Sequence, residues 1–123
     1  MRRPGETDAP GPLSALERQV LAALLPAGDA GLAPLAAQAL AATANGRTWS
    51  GVGFLTRLAV PADLPAADAG AAARLRPLRA THPGLGEPAE FLLQVRDGRL
   101  ATLEAFCGDG YWPDDESAFR LVG

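Results

Sequence analysis

The stretch that decides the fold is residues 90–107, EFLLQVRDGRLATLEAFC. Two runs rich in aliphatic and aromatic residues, 90–96 and 99–107, flank the pair Asp97-Gly98. Asp-Gly is favoured in two-residue type I′ turns, because both central residues of such a turn need a positive φ. The stretch therefore predicts an antiparallel β-hairpin.

A two-residue turn also fixes the pairing of the two strands. We expect the opposed pairs to be Val95 with Leu100, Leu93 with Thr102, and Phe91 with Glu104. In that register Glu104 shares an apolar face with Phe91 and Phe106, and we expect this face to pack against helices. Leu92 and Leu103 fall on the opposite face, which is more polar.

The segment before the hairpin contains two helical patterns. Ser14 and Glu17 have the S-x-x-E spacing of a capping box, and an apolar stripe follows until Pro26 and Gly28. A second helix is expected from Asp29, a good N-cap, to Asn45-Gly46, where both residues tolerate the conformation of a helix end. The two helices are expected to form a hairpin.

The rest of the chain predicts further strands and one crossing. From Trp49 to Val60 the residues alternate and are rich in β-branched and aromatic types, which indicates one strand ended by Pro61. Residues 61–72 are expected to form an irregular connection that crosses the protein surface. Residues 73–80 are expected to form an irregular edge strand, because Pro77 has no backbone N–H to donate.

These elements predict an α+β fold in which two N-terminal helices pack on one face of a four- or five-stranded antiparallel sheet. Residues 1–12 contain three Pro and two Gly, so we expect a disordered tail there. We expect residues 13–123 to form a single domain, as is usual at this chain length.

Composition excludes several classes of function. The 123 residues are 48% hydrophobic and 20% charged, and the net charge is −3, which disfavours a nucleic-acid-binding surface. No apolar run approaches the roughly 20 residues of a membrane helix, and no signal peptide is recognisable. The single cysteine, Cys107, excludes an intrachain disulfide. We therefore expect a cytoplasmic protein that binds neither nucleic acid nor membrane.

Three motifs carry a resemblance: SGVGFLT at 50–56, FLL at 91–93 leading to DGRL at 97–100, and LEAF at 103–106 followed by WP at 112–113. They resemble a group of small uncharacterised bacterial proteins that read T-G-V-G-F-F, F-x-L-F-x-x-D-G-x-I and L-E-G-F followed by W-P. The chain departs from that pattern at Ser50 and Ala105. The resemblance implies an α+β fold and a shared site around Glu104, with no established activity.

Glu104 is the first candidate for a ligand-binding residue. An ionised carboxylate on an apolar face is costly unless it is paired. Glu104 is therefore either an acid with a raised pKa or a ligand anchor, or else a structural link bonded to Arg47, Arg57 or a backbone amide. Arg47 and Arg57 are its candidate charge partners, and Trp49 and Trp112 are candidate walls of a pocket.

The sequence contains few residues suited to catalysis or to metal binding. Cys107 and His82 are the one pair that offers a thiol and a base, but nothing in their spacing brings them together. One His and one Cys also fall short of the four ligands of structural zinc. We predict no catalytic residue, no metal and no cofactor.

Two functions follow. The first is a non-enzymatic binding protein that takes a protein partner, or forms a homodimer, through a sheet face carrying Leu55, Leu92 and Leu103. Toxin-neutralising immunity proteins have a similar size and class, which is an analogy only. The alternative is a small-molecule-binding domain or minimal enzyme that uses Glu104 as acid or ligand anchor.

Overall fold

The computed structural model describes residues 3–122, which form one antiparallel sheet of seven strands and two α-helices on one of its faces. The helices are α1, Ala15–Leu24, and α2, Ala33–Ala41. The strands are β1, Thr7–Asp8; β2, Thr43–Trp49; β3, Gly53–Ala59; β4, Leu78–Thr81; β5, Ala89–Arg96; β6, Arg99–Phe106; and β7, Arg120–Val122. Their order across the sheet is β1-β2-β3-β6-β5-β4-β7. The predicted α+β class is confirmed.

The prediction of four or five strands was wrong, and helical turns are not confined to the N-terminal part. Short 3₁₀ helices at Ala30–Leu32, Ala72–Arg74 and Glu116–Ala118 accompany α1 and α2 in the described residues. The largest difference is at the second helix, which ends at Ala41 instead of Asn45-Gly46. Gly46 does adopt a positive φ of 99°, but within a β-bulge of β2 rather than at a helix end.

The single strand expected from Trp49 to Val60 is in fact the second half of a hairpin. The chain turns between β2 and β3, where Gly51 has a φ of 86° and the Ser50 amide donates to the Gly53 carbonyl at 3.0 Å. A Cβ on Gly53 would overlap the backbone of Ala105, so glycine there permits the close pairing of β3 with β6.

The β5–β6 hairpin has the expected turn but a shifted register. Asp97 and Gly98 have φ angles of 54° and 76°, as a type I′ turn requires, and Val95 lies opposite Leu100. A β-bulge between Gln94 and Val95 then leaves Ala101 as the extra residue. Beyond it the opposed pairs are Gln94 with Thr102, Leu93 with Leu103, Leu92 with Glu104, and Phe91 with Ala105.

The bulge reverses the faces of β6. The predicted pairs Leu93–Thr102 and Phe91–Glu104 were wrong, because one extra residue turns every following side chain of a strand to the other face. Leu103 therefore lies in the core, fully buried beside Phe91. Glu104 lies on the opposite face of the sheet.

The edge of the sheet also differs from the expectation. Residues 72–74 form a 3₁₀ helix, and β4 is an interior strand between β5 and β7. Pro77 precedes β4, so it removes no hydrogen bond from the ladder. At the other edge, Thr7 and Asp8 of the expected disordered tail instead pair with Thr48 and Arg47 of β2, while Met1 and Arg2 lie outside the described residues.

We call the sheet face that the helices cover the inner face, and the opposite one the outer face.

The capping box of α1 forms as predicted: the Glu17 amide donates to Ser14 Oγ at 3.1 Å, and the Ser14 amide donates to Glu17 Oε1 at 2.8 Å. None of the helices between residues 3 and 122 is long and apolar enough to span a bilayer.

Candidate functional site

The predicted site residues divide between the two faces of the sheet. Arg47 and Trp49 of β2 lie on the inner face, near Trp112 of the loop after β6. The other predicted side chains, Arg57, Leu55, Leu92 and Glu104, lie on the outer face. Leu103, expected at an interface, is fully buried in the core, because the β6 bulge turns it inward. That interface assignment is therefore corrected.

Arg47 is bonded to carboxylates other than Glu104. Its Nε donates to Glu17 Oε2 at 3.1 Å and its Nη1 to Asp8 Oδ2 at 3.3 Å, while Nη2 bonds Glu17 Oε1. Thr56 Oγ1 also donates to Glu17, which is fully buried. Burial alone would disfavour the charged guanidinium, but the hydrogen bonds and charges of Glu17 and Asp8 outweigh it and raise the pKa of Arg47. Arg47 thus links α1, β1 and β2.

A small cavity lies above this ion-pair network, and we call it the aromatic cavity. Trp49 Nε1 donates to Asp8 at 3.1 Å, and Trp112 Nε1 donates to Glu116 at 2.9 Å. Phe54 contacts both indoles, with ring centroids 5.3 and 5.5 Å away. The cavity has a volume of about 260 Å³ and is lined by Asp8, Ser14, Arg47, Trp49, Gly51, Trp112, Pro113, Asp114 and Glu116.

The outer face carries a row of three side chains across adjacent strands. Leu55 of β3 lies opposite Glu104 of β6, and Glu104 lies opposite Leu92 of β5. All three residues are half-buried. We call Leu55, Glu104 and Leu92 the outer row.

The charged neighbours of the outer row are engaged elsewhere. Arg57 is exposed, and its Nη1 donates to Thr48 Oγ1 at 3.5 Å. The other outer-face carboxylate, Glu90, pairs with Arg79 at 3.4 Å. Within residues 3–122, the Glu104 carboxylate makes no hydrogen bond and no ion pair. The predicted structural link from Glu104 to Arg47 or Arg57 is therefore not formed.

Shallow hollows adjoin the outer row. Phe106, two residues after Glu104 and on the same face of β6, lines both hollows. The hollow on the β3 side has about 420 Å³ and includes Thr48, Leu55 and Glu104. The hollow on the β5 side has about 520 Å³ and includes Arg79 and Glu90. The outer face thus has shallow hollows on both sides of the apolar side chains at its centre.

Cys107 and His82 serve separate parts of the fold. Cys107 Sγ donates to the Val52 carbonyl at 3.2 Å, and burial raises the pKa of this thiol. His82 Nδ1 accepts from the Gly84 amide at 2.9 Å, and its Nε2 bonds the Asp115 carbonyl at 2.8 Å. Each side chain is occupied in fixing a loop.

Sequence reasoning missed Glu17 as the partner of Arg47. The signal was present, because Glu17 lies four residues after Leu13 and three before Val20, on the buried stripe of α1. A carboxylate at such a position needs a buried partner.

In the part of the chain that the structure describes, no three His, Cys, Asp or Glu side chains are grouped to hold a metal.

Comparison of the chain with protein-family models, with curated proteins and with solved structures gives no match.

Proposed function

We propose that this protein is a non-enzymatic binding protein whose outer sheet face takes a protein partner that presents a cationic side chain to Glu104. The observation that carries the proposal is the position of Glu104, half-buried between Leu55 and Leu92 without an ion pair in the described residues. A carboxylate in such surroundings has lost part of its hydration and gained no counter-charge.

The chemistry of the outer row fits a guanidinium flanked by apolar groups. Arg pairs with carboxylates through two parallel hydrogen bonds and is only weakly hydrated, so it is well suited to an ion pair inside an interface. Leu55, Leu92 and Phe106 supply the apolar contact around that pair. Interfaces commonly combine such an apolar centre with a polar rim, here Arg57, Arg79 and Glu90.

A second copy of the chain is a poor occupant of this face. In a symmetric dimer centred on the outer row, Glu104 would lie opposite Glu104 of the other copy. Two carboxylates facing each other in a partly buried contact repel, and none of the side chains between residues 3 and 122 forms an ion pair with Glu104. The proposed partner is therefore a different protein.

The test compares proteins captured from a lysate of the source organism. The baits are the wild type, Leu92→Asp, and a control, Leu40→Lys, whose side chain is 91% exposed on the helical side of the molecule. A protein retained in stoichiometric amount by the wild type and the control, and lost with Leu92→Asp, supports the proposal. Circular dichroism and thermal melting check that each bait is folded.

Identical sets of captured proteins for all three folded baits would overturn the proposal. If Leu92→Asp does not fold, Glu104→Arg replaces it, because the Glu104 side chain has no bond to lose in the described residues.

Location in the cytoplasm, expected from the sequence, remains a prediction.

A second candidate function is the binding of a small molecule in the aromatic cavity. It is favoured by one observation: three of the five residues predicted for a ligand site, Arg47, Trp49 and Trp112, line this cavity. Its volume of about 260 Å³ lies just below the usual range of ligand pockets, so the molecule would be small. Native and denatured mass spectra test it, since a bound molecule adds a mass that disappears on denaturation. Equal masses in both spectra would contradict it.

A further inference from the structure

The outer row runs across the strands rather than along one of them. Leu55, Glu104 and Leu92 are directly opposed residues of β3, β6 and β5, which are neighbours in the sheet. Opposed side chains of neighbouring strands are about 5 Å apart, so the row is about 10 Å long. It presents a carboxylate between two aliphatic side chains on a line perpendicular to the strands.

The spacing of the outer row matches one face of an α-helix. A helix rises about 1.5 Å per residue, so its residues i, i+4 and i+7 share a face and span about 10 Å. An extended strand repeats its same-face side chains about every 6.7 Å, so three of them span about 13 Å. A helix that lies across the sheet therefore contacts all three members of the row in register, whereas a strand does not.

The hollows beside Phe106 follow the same direction. One lies on the β3 side of this half-buried side chain, with about 420 Å³, and the other lies on the β5 side, with about 520 Å³. A helix that follows the outer row has further side chains beside its contact stripe, and these enter the hollows on either side of the Phe106 ring. The shape of the face and its charge pattern thus favour the same direction of approach.

Charge complementarity selects the residue at the centre of such a helix. The Glu104 carboxylate has no ion pair and no hydrogen bond within residues 3–122, and a docked helix would remove water from it. An apolar residue at that point would leave the charge buried and unpaired, which is costly. A guanidinium supplies two parallel hydrogen bonds to one carboxylate.

We propose that the partner docks through an amphipathic α-helix that lies across β3, β6 and β5 and carries an arginine between two aliphatic residues, at positions i, i+4 and i+7. The arginine pairs with Glu104, and the aliphatic residues pack on Leu55 and Leu92. This inference rests on the proposed function, because it names the kind of partner that the outer face takes.

The test uses synthetic helical peptides and the ¹⁵N-labelled protein. The first peptide has about 18 residues, mostly alanine and glutamine, with leucine, arginine and leucine at positions i, i+4 and i+7. The control peptide has the same composition, but its arginine is moved by two positions, which turns it to the opposite side of the helix. Backbone amide signals are followed by NMR while each peptide is added up to millimolar concentration.

We expect the first peptide to shift the amide signals of Leu55, Leu92 and Glu104, and to bind about 10-fold more tightly than the control peptide. Glu104→Gln should remove this preference, and it loses no hydrogen bond of the described residues. Leu40→Lys, on the helical side of the molecule, should leave the preference unchanged.

Equal affinities of the two peptides, a preference that persists in Glu104→Gln, or no shifts on the outer face would each overturn the inference. The proposed function fails by a different result, which is the capture of the same proteins by wild-type and Leu92→Asp baits. Capture that depends on Leu92, without a preference between the peptides, would mean that the partner docks through another kind of segment.

Discussion

Arg47 Nε lies 3.1 Å from Oε2 of Glu17, a carboxylate that no solvent reaches. The two residues come from different elements, α1 and β2, and are 30 positions apart in the chain. Thr56 and the Ser14 amide complete the hydrogen bonds of Glu17. This link holds α1 on the inner face of the sheet, and its Arg47 also lines the aromatic cavity.

Replacing Arg47 should be strongly destabilising. We expect Arg47→Met to lower the free energy of unfolding by about 3–5 kcal/mol, because it leaves the Glu17 carboxylate buried without a counter-charge. Adding Glu17→Gln should recover part of that loss, since glutamine keeps the capping box but carries no charge. Urea denaturation of the single and double variants measures both effects. Arg57→Met, at an exposed position, is the control, and an equal loss there would contradict the assignment.

Gln38 should be nearly as important, although it carries no charge. It is fully buried on α2: its Nε2 donates to the carbonyls of Pro65 and Gly98, both at 3.0 Å, and its Oε1 accepts from the Leu100 amide at 2.9 Å. Gln38→Met takes the Gln38 partner from the Leu100 amide and the Pro65 carbonyl, whereas the Gly98 carbonyl still accepts from the Ala67 amide at 2.8 Å. An unpaired buried group costs about 1–3 kcal/mol, so we expect a loss of about 2 kcal/mol in urea denaturation.

The exposed residue Gln19 provides the matched control for Gln38. Gln19→Met makes the same chemical change on the solvent side of α1, and we expect an effect within about 0.5 kcal/mol. Similar losses in the two variants would mean that the buried hydrogen bonds of Gln38 contribute little.

The Asp29–Arg74 pair should make the stability depend on pH in the acid range. The hydrogen bond from Arg74, aided by its charge, holds the pKa of Asp29 below the ordinary value of 3.8. The folded protein therefore favours the ionised carboxylate, so the contribution is complete above the ordinary pKa and is lost as pH falls through the lowered one. Titration of Asp29 by NMR should show Arg74→Ala returning this pKa towards 3.8. Identical midpoints in both proteins would contradict the link.

Cys107 should be unreactive in the folded protein. Burial raises the pKa of its thiol, and the thiolate is the nucleophile, so little reactive form exists at about pH 8. We expect an aromatic disulfide reagent to react far more slowly with the native protein than with the urea-unfolded protein. Equal rates would show that the thiol is exposed and ionised in the native state.

Local signals in the sequence were sufficient for the α1 cap and for the Asp97-Gly98 turn. Each depends on residues within one turn of chain, whose side chains or φ angles determine the geometry directly. The same applies to the α+β class, because both periodicities are strong. Gly46 was interpreted incorrectly because a positive φ serves a helix end and a β-bulge equally well.

The site was predicted only in part because a bulge is not visible in the pattern. Ala101 adds one residue to β6, and that shift moved Glu104 out of the expected pocket and Leu103 into the core. Arg47, Trp49 and Trp112 line one cavity, but Glu104 lies on the other face of the sheet, and the neighbours Asp8 and Glu17 come from elements distant in sequence. Such pairings depend on the tertiary fold, which no local pattern encodes.

The most direct measurement for the outer face is a charge reversal at Glu104. Once a partner has been identified, its affinity is measured for the wild-type protein and for Glu104→Arg. A third measurement combines Glu104→Arg with a partner variant in which the facing cationic residue is replaced by Glu. We expect Glu104→Arg to weaken binding by about 10-fold or more and the compensating pair to restore most of it. An affinity unchanged by Glu104→Arg would contradict the proposal that Glu104 is the centre of a protein-binding surface.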